Sequence, residues 1–381
     1  MRTMKKASFI TIALLGLWNA SAQASDLQPE TLGAANPGAL EMFTYVPPNT
    51  SAGAPLVVVL HGCGQSADEY VTRSGWQTIA DQYGLVLLAP QQTLSNQLNR
   101  CFNWYETGDN ARDVGEALSI HNMVEQVVSA EGIDASRVFV TGLSAGGFMT
   151  TAMLAAYPEL FSAGAVVAGG PYGCADSLTS ALDCVGGSVT KSPDAWAALV
   201  TSAAPSTGVF PRLSVWHGDA DSTVAYANAG ELAKQWTALH GLDVAGGVED
   251  EIAGHGRVRY GVPAAVEVVT LGGMGHAVAV DEGVCGSVGA FASDVGVCSS
   301  IEIARFWGLL DMGQPPANDD AGPGGGGADA GAGGGAEDGG NAGDDGDGGG
   351  CSLAPRTSGG GFALVLFLGC FAAAGRRRDR D

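Results

Sequence analysis

Residues 138–150 read "VFVTGLSAGGFMT". A β-branched, apolar run from Val138 to Thr141 breaks at Gly142-Leu143-Ser144-Ala145-Gly146, and an apolar segment then runs to Tyr157, ahead of Pro158. The run suits a buried strand, and the segment suits a helix that proline stops. Glycines on both sides of Ser144 allow the close backbone approach that a strand-to-helix elbow needs. In a chain with 59 glycines the Gly-x-Ser-x-Gly pattern is weak by itself; its strand and helix flanks give it weight. An elbow here presents the Ser144 hydroxyl at the carboxyl end of a strand, with helix amides aimed at any oxyanion formed there. Ser144 is therefore the candidate nucleophile; the competing reading is an ordinary N-cap serine.

Working outward, strand-like segments lie at residues 56–60, 85–89, 137–141, 164–168, 213–216 and 266–271. Helix-like ones lie at 66–83, 114–130, 147–157, 225–240 and 301–310. Residues 56–60, "LVVVL", are continuously apolar, as expected of a strand covered on both faces. Such alternation predicts an α/β fold, a doubly wound and mostly parallel sheet with helices on both faces. Catalytic groups on such a sheet gather beyond the carboxyl ends of strands.

A serine hydroxyl needs a base, and the base needs an orienting carboxylate. After a serine elbow these follow in the order acid, then histidine. "WHGDADSTV" (216–224) places Asp219 and Asp221 beyond a strand. Asp221, farther into the loop, is the expected acid, while Asp219 suits a turn cap. "GGMGH" (272–276) presents His276 on a glycine-rich loop as the expected general base. His61 and His217, which end strands, read as loop-bonding residues; His121 lies mid-helix, and His240 and His255 read as solvated. An oxyanion hole needs two backbone donors: the amide of Ala145, after the nucleophile, and one from the first strand's loop, "HGCGQ", where Cys63 is the candidate.

The net charge is −22, from 18 basic and 40 acidic residues. That balance argues against nucleic acid as a partner and favours a neutral or apolar substrate. Cys63, Cys101, Cys174, Cys184, Cys285 and Cys298 lie within the fold-forming region. An even number in an exported chain reads as disulfides, and sequence proximity suggests Cys63–Cys101, Cys174–Cys184 and Cys285–Cys298, among the 15 connectivities six cysteines allow. No CxxC or HExxH spacing supports a zinc site, and no metal or other cofactor is expected.

Both ends read as addresses. Residues 1–24 carry Arg2, Lys5 and Lys6, the apolar "FITIALLGLW" and a small-x-small site at Ala22-Gln23-Ala24, the form of a signal peptide; a membrane anchor is the alternative. Residues 25–312 would form the catalytic domain. Residues 313–350 are mostly Gly, Ala, Asp and Asn with a few prolines, a composition expected to form a disordered tether with a reach of about 30–35 Å. Residues 351–381 hold Cys351, the apolar run 359–375 and Arg376-Arg377-Arg378; that run spans roughly 25 Å as a helix, enough for a short transmembrane segment.

This tail resembles the C-terminal sorting signals of myxobacterial surface proteins. The resemblance implies attachment to the cell envelope by export and sorting machinery, and a plain membrane anchor is the alternative. The domain resembles the extracellular poly(3-hydroxybutyrate) depolymerases and their secreted esterase relatives. "LHGCGQSADEY", "SGWQTIADQYG", "CFNWY", "GEALSIHNMV", "VTGLSAGGFM", "AGGPYGCA", "WHGDADSTV", "GMGHAVAVD" and "CSSIEIARFWGLL" carry the likeness, over about residues 40–310. It implies an α/β-hydrolase fold, a triad of Ser144, Asp221 and His276, oxyanion donors at Cys63 and Ala145, and no metal. Many polymer-degrading members carry a separate substrate-binding module after a linker; here the linker leads only to the sorting tail. Trp104, Tyr105 and Trp307 could line a substrate crevice or could belong to the core.

Together these readings describe an extracellular, surface-tethered serine esterase for short-chain hydroxyalkanoate polyesters. The rival within the class is a feruloyl or acetyl-xylan esterase. The rival outside it is an adhesin on an inactive hydrolase fold, which the presence of all three triad residues disfavours.

Overall fold

Leu56, Val58 and Leu60 pack into one apolar cluster, while Val57 and Val59 pack into another. All five are buried. A strand sends successive side chains to opposite faces, so an all-apolar strand must be covered on both. The computed structural model describes residues 27–203 and 208–310.

The strands are β1 (Gln28–Glu30), β2 (Glu41–Tyr45), β3 (Leu56–Leu60), β4 (Val86–Gln91), β5 (Val138–Leu143), β6 (Ala163–Val167), β7 (Arg212–Gly218), β8 (Val248–Ile252), β9 (His255–Tyr260) and β10 (Val266–Leu271). They form one sheet in the order β1-β2-β4-β3-β5-β6-β7-β10-β9-β8. From β4 to β10 neighbouring strands are parallel. Antiparallel pairs extend both edges. Met123, Met149 and Leu232, from helices Gly115–Glu131, Ala145–Ala156 and Ala227–Leu239, join the cluster on one face. Tyr70, Ile79 and Ile303, from helices Ala67–Arg73, Trp76–Tyr83 and Ser299–Phe306, join the cluster on the other. Each such large apolar side chain contributes about 1.5–3 kcal/mol by leaving water. The expected α/β-hydrolase architecture, with helices on both faces of a mostly parallel sheet, is what the chain adopts.

Local differences from the sequence reading have physical causes. The helix expected over 66–83 is two helices, broken at Ser74-Gly75. Gly75 has φ +83°, and a Cβ there would fall 2.7 Å from Gly286 N and 2.8 Å from Cys285 Sγ. The loop closed by Cys285–Cys298 packs into that break, and Ser300 Oγ donates to Ser74 O (2.8 Å). The helix expected from 147 begins at Ala145, directly after the elbow. The outer strands β1, β2, β8 and β9 show no continuous apolar run; β8 reads "VEDEI" and is mostly exposed.

Disulfides join Cys63–Cys101, Cys174–Cys184 and Cys285–Cys298. They suit a chain that matures in an oxidising compartment. Among the described residues no helix is long and apolar enough to cross a membrane. The readings for residues 1–24 and 313–381, including the apolar run 359–375, lie outside the described residues.

Candidate active site

Parallel strands share one carboxyl edge, and the loops leaving β3, β5, β7 and β10 there carry Cys63, Ser144, Asp221 and His276 respectively. Ser144 itself has φ +58°, in the left-handed region, where a residue other than glycine is strained. Two backbone bonds hold it: its N–H donates to Val167 O and its carbonyl accepts from Phe148 N, both at 2.9 Å. The turn is tight enough to require its glycines. A Cβ on Gly146 would lie 2.1 Å from Leu60 O, and one on Gly142 would lie 2.4 Å from the Gly146 carbonyl carbon.

Asp221 Oδ1 accepts from the amides of Thr223 (2.8 Å) and Val224 (2.9 Å), and Oδ2 meets His276 Nδ1 at 2.7 Å. Burial opposes its ionisation, but hydrogen bonds from His217, His276 and the Val224 amide, with the nearby His276 charge, hold its carboxyl well below the usual carboxylate range. An ionised Asp221 can only accept, so the neutral His276 ring carries its proton on Nδ1 and leaves the Nε2 lone pair free. Asp219 Oδ1 accepts from Gly273 N (2.6 Å), tying down the glycine loop that carries His276.

The loop after β3 is braced from beneath. His61 Nδ1–H donates to Gly62 O (2.7 Å), while its Nε2 accepts from the Gln92 amide and the Gln91 side chain, both at 3.1 Å. Burial lowers the His61 pKa to about 4, with the Gly62 bond opposing and Arg100 adding to the fall. A neutral imidazole thus pins the segment that the Cys63–Cys101 bridge also fixes. The amides of Cys63 and Ala145 have no acceptor among the described residues.

Ser144 and His276 line a cavity of about 150 Å³ together with Gly62, Cys63, Gln65 and Leu143. Thr223 and Phe291 complete its wall. The aromatics proposed for the crevice are not in that lining. Trp307 is a correction: it is 4% exposed and stacks between Phe139 (4.9 Å) and Trp76 (5.5 Å) in the core of the opposite face. Trp104 stacks at 3.9 Å on Phe148, behind the first turn of the Ser144 helix, and Tyr105 packs edge-on against Trp104. The exposed aromatic at the site is Phe291, whose ring meets His276 edge-on at 6.2 Å. His217, read as loop-bonding, does bond Val224 O (2.9 Å) but also approaches Asp221 Oδ2. His240 and His255, expected in solvent, instead bond Pro211 O and Val295 O. Gln65, Phe291 and Thr223 went unassigned in the sequence, although Gln65 closes the "HGCGQ" motif that carries Cys63.

A strained serine on a strand-to-helix elbow, on one cavity with an imidazole bonded to a buried carboxylate, is the arrangement of the α/β-hydrolase class. The chain belongs to the esterase PHB depolymerase family, whose family model matches residues 40–260. It is 46% identical over 284 residues to poly(3-hydroxyalkanoate) depolymerase C of Paucimonas lemoignei, covering 72% of this chain and 68% of that protein. It is 36% identical over 255 residues to feruloyl esterase B of Talaromyces funiculosus, covering 65% of this chain and 71% of that protein. Among solved structures it is similar to an acetyl xylan esterase from Aspergillus awamori, with a TM-score of 0.65 and 28% identity over 75% of this chain and all of that one. The chain is a carboxylic-ester hydrolase.

Proposed function

We propose that Ser144 is the nucleophile, His276 the general base and Asp221 its orienting acid, acting on poly(3-hydroxybutyrate)-type short-chain polyesters or their oligomers. The observation that carries the reading is the 2.7 Å bond from His276 Nδ1 to the buried Asp221 carboxylate, with His276 and Ser144 on one cavity. Ser144 Oγ attacks the ester carbonyl carbon as His276 Nε2 takes its proton, and the carbonyl electron pair moves onto oxygen. The amides of Cys63 and Ala145 stabilise that oxyanion. Collapse expels the alcohol, which receives the proton from His276, and an acyl group stays on Ser144. Water, deprotonated by His276 Nε2, then attacks the acyl carbon; the bond to Ser144 Oγ breaks, Oγ takes the proton back from His276, and the acid leaves. The small cavity, about 150 Å³, suits a small acyl unit, and the depolymerase relative supports a hydroxyalkanoate.

A feruloyl or acetyl-xylan esterase is the second reading, supported by the 36% identical feruloyl esterase and the acetyl xylan esterase structure. The relatives reported above are all named as ester-cleaving enzymes, which disfavours the adhesin reading. For the remainder of the chain we propose an export signal over 1–24, a catalytic domain over 25–312, a linker over 313–350 and a sorting tail over 351–381 that ties the enzyme to the cell surface; the disulfides support an extracellular location.

The test is to assay the full chain on poly(3-hydroxybutyrate) granules, methyl ferulate and acetylated xylan beside Ser144→Ala. Granule clearing that the substitution abolishes is expected. Turnover unaffected by Ser144→Ala would overturn the mechanism, and ferulate or acetate release without clearing would overturn the polyester assignment.

A further inference from the structure

Gln65 is 2% exposed and lines the cavity beside Ser144. Its side-chain Oε1 accepts from Gly62 N (2.8 Å), and its own backbone N–H donates to Gly62 O (3.3 Å). The first of these bonds fixes the orientation of the carboxamide, because a backbone N–H can be met only by the oxygen end. Nε2, with two N–H donors, is therefore the end turned from Gly62. Among the described residues it has no acceptor, and it is not sealed from the cavity space. Buried polar groups are ordinarily paired, so an unpaired donor facing a catalytic cavity points to a ligand.

The location narrows what that ligand atom is. A Cβ placed on Gly62 would lie 2.9 Å from Gln65 Oε1 and 3.5 Å from Ser144 Cβ, so the carboxamide and the nucleophile flank the same backbone carbon. Gln65 also belongs to the loop that supplies the Cys63 amide. The leaving alcohol must face His276 to receive its proton, and His276 arrives on a different loop, after β10. The carbonyl oxygen must face the amides. We infer that Gln65 Nε2 donates a third hydrogen bond to the oxyanion of the tetrahedral intermediate, beside the amides of Cys63 and Ala145. This rests on the reading of Ser144 as nucleophile. Gln65 transfers no proton: the Ser144 proton goes to His276, and Gln65 stabilises charge that is absent from the ground state.

Gln65→Glu separates the two ends of the side chain, since a carboxylate still accepts from Gly62 N but offers no donor. Gln65→Met removes both ends without adding charge. On p-nitrophenyl butyrate, with the full chain, both variants are expected to lose about 10²-fold in kcat with KM within about threefold of the parent. Butylboronic acid, which forms a tetrahedral adduct on the serine, is expected to weaken by a similar factor. Thermal unfolding read in parallel establishes which variants are folded, and parental kinetics in either folded variant are enough to overturn the inference. A folded variant with parental kcat and boronate affinity would show that Gln65 only braces the loop, overturning the inference. Ser144→Ala serves as the reference. Activity surviving there overturns the nucleophile reading itself, whereas its loss alongside a fully active Gln65→Glu overturns only the third donor.

Discussion

His217 Nε2 lies 3.4 Å from Asp221 Oδ2, the same oxygen that meets His276 Nδ1 at 2.7 Å. One carboxylate oxygen thus faces two imidazoles. His217 Nε2 also lies 2.9 Å from Val224 O, while its buried Nδ1 has no partner among the described residues, which places the ring proton on Nε2. His217 is a fixed donor that shares the Asp221 carboxylate with His276 and ties it to the loop.

Replacing His217 with phenylalanine keeps the ring volume but removes that donor. Asp221 is held low by its partners, so its stabilising contribution is present above the ordinary carboxylate range and disappears as pH falls through its depressed folded value. With one donor gone the depression shrinks, and the acid unfolding midpoint should move upward by about half a pH unit. The expected loss in kcat is about tenfold, smaller than for His276→Ala. Circular dichroism between pH 2 and 5, with steady-state kinetics at neutral pH, checks both.

Glu116 gives pH dependence of the opposite sign. It is fully buried, and its carboxylate accepts from Gln92, Asn96 and both the side chain and the amide of Asn103. Burial outweighs those donors, Asp109 adds to the effect, and the pKa rises from 4.5 to about 8. The native state therefore keeps a proton that the unfolded chain has released, so this contribution to stability is full below 4.5 and is lost as pH rises through about 8. Glu116→Gln should flatten the decline in denaturant midpoint between those limits, by a few kcal/mol in total. A decline that persists unchanged in the variant would assign it to another group.

The central sheet and the elbow were legible because each rests on local rules: apolar runs such as Leu56–Leu60, and glycines that no other residue can replace beside Ser144. The place of Asp221 beyond a strand was legible, and the break at Gly75 was not, because its cause is Cys285, far along the chain. Trp307 shows the same limit. An aromatic near the end of a domain has no local signature telling core from crevice, and only the stacking on Phe139 and Trp76 decides. Gln65 was invisible as a donor for a related reason, since its role follows from which end of the amide meets Gly62.

Strain at the elbow predicts a trade between stability and activity. Ser144 at φ +58° is a position glycine occupies without penalty. Ser144→Gly should raise stability by about 1 kcal/mol while abolishing turnover. Gly146→Ala should do the reverse to the fold, losing about 2–4 kcal/mol because its Cβ would meet Leu60 O and His61 O. Chemical denaturation of both variants reads the two signs directly, and destabilisation by Ser144→Gly would remove the strain argument.

Trp307 and Phe291 offer the sharpest contrast between core and crevice. Trp307 is 4% exposed, stacked on two aromatic rings, and its indole Nε1 donates to Gly164 O (3.4 Å). Phe291 is 44% exposed, touches only the edge of the His276 ring among its aromatic contacts, and walls the cavity. Trp307→Ala should cost about 3–5 kcal/mol of stability, as large buried aromatics do, and leave KM for a soluble ester within about twofold at temperatures where the variant is folded. Phe291→Ala should cost under about 1 kcal/mol and raise KM several-fold, because exposed side chains contribute little to folding while an apolar wall contributes to acyl-chain binding. Denaturant midpoints and KM on a series from acetate to hexanoate esters measure both. A rise in KM for Trp307→Ala at unchanged stability would return that tryptophan to the substrate crevice.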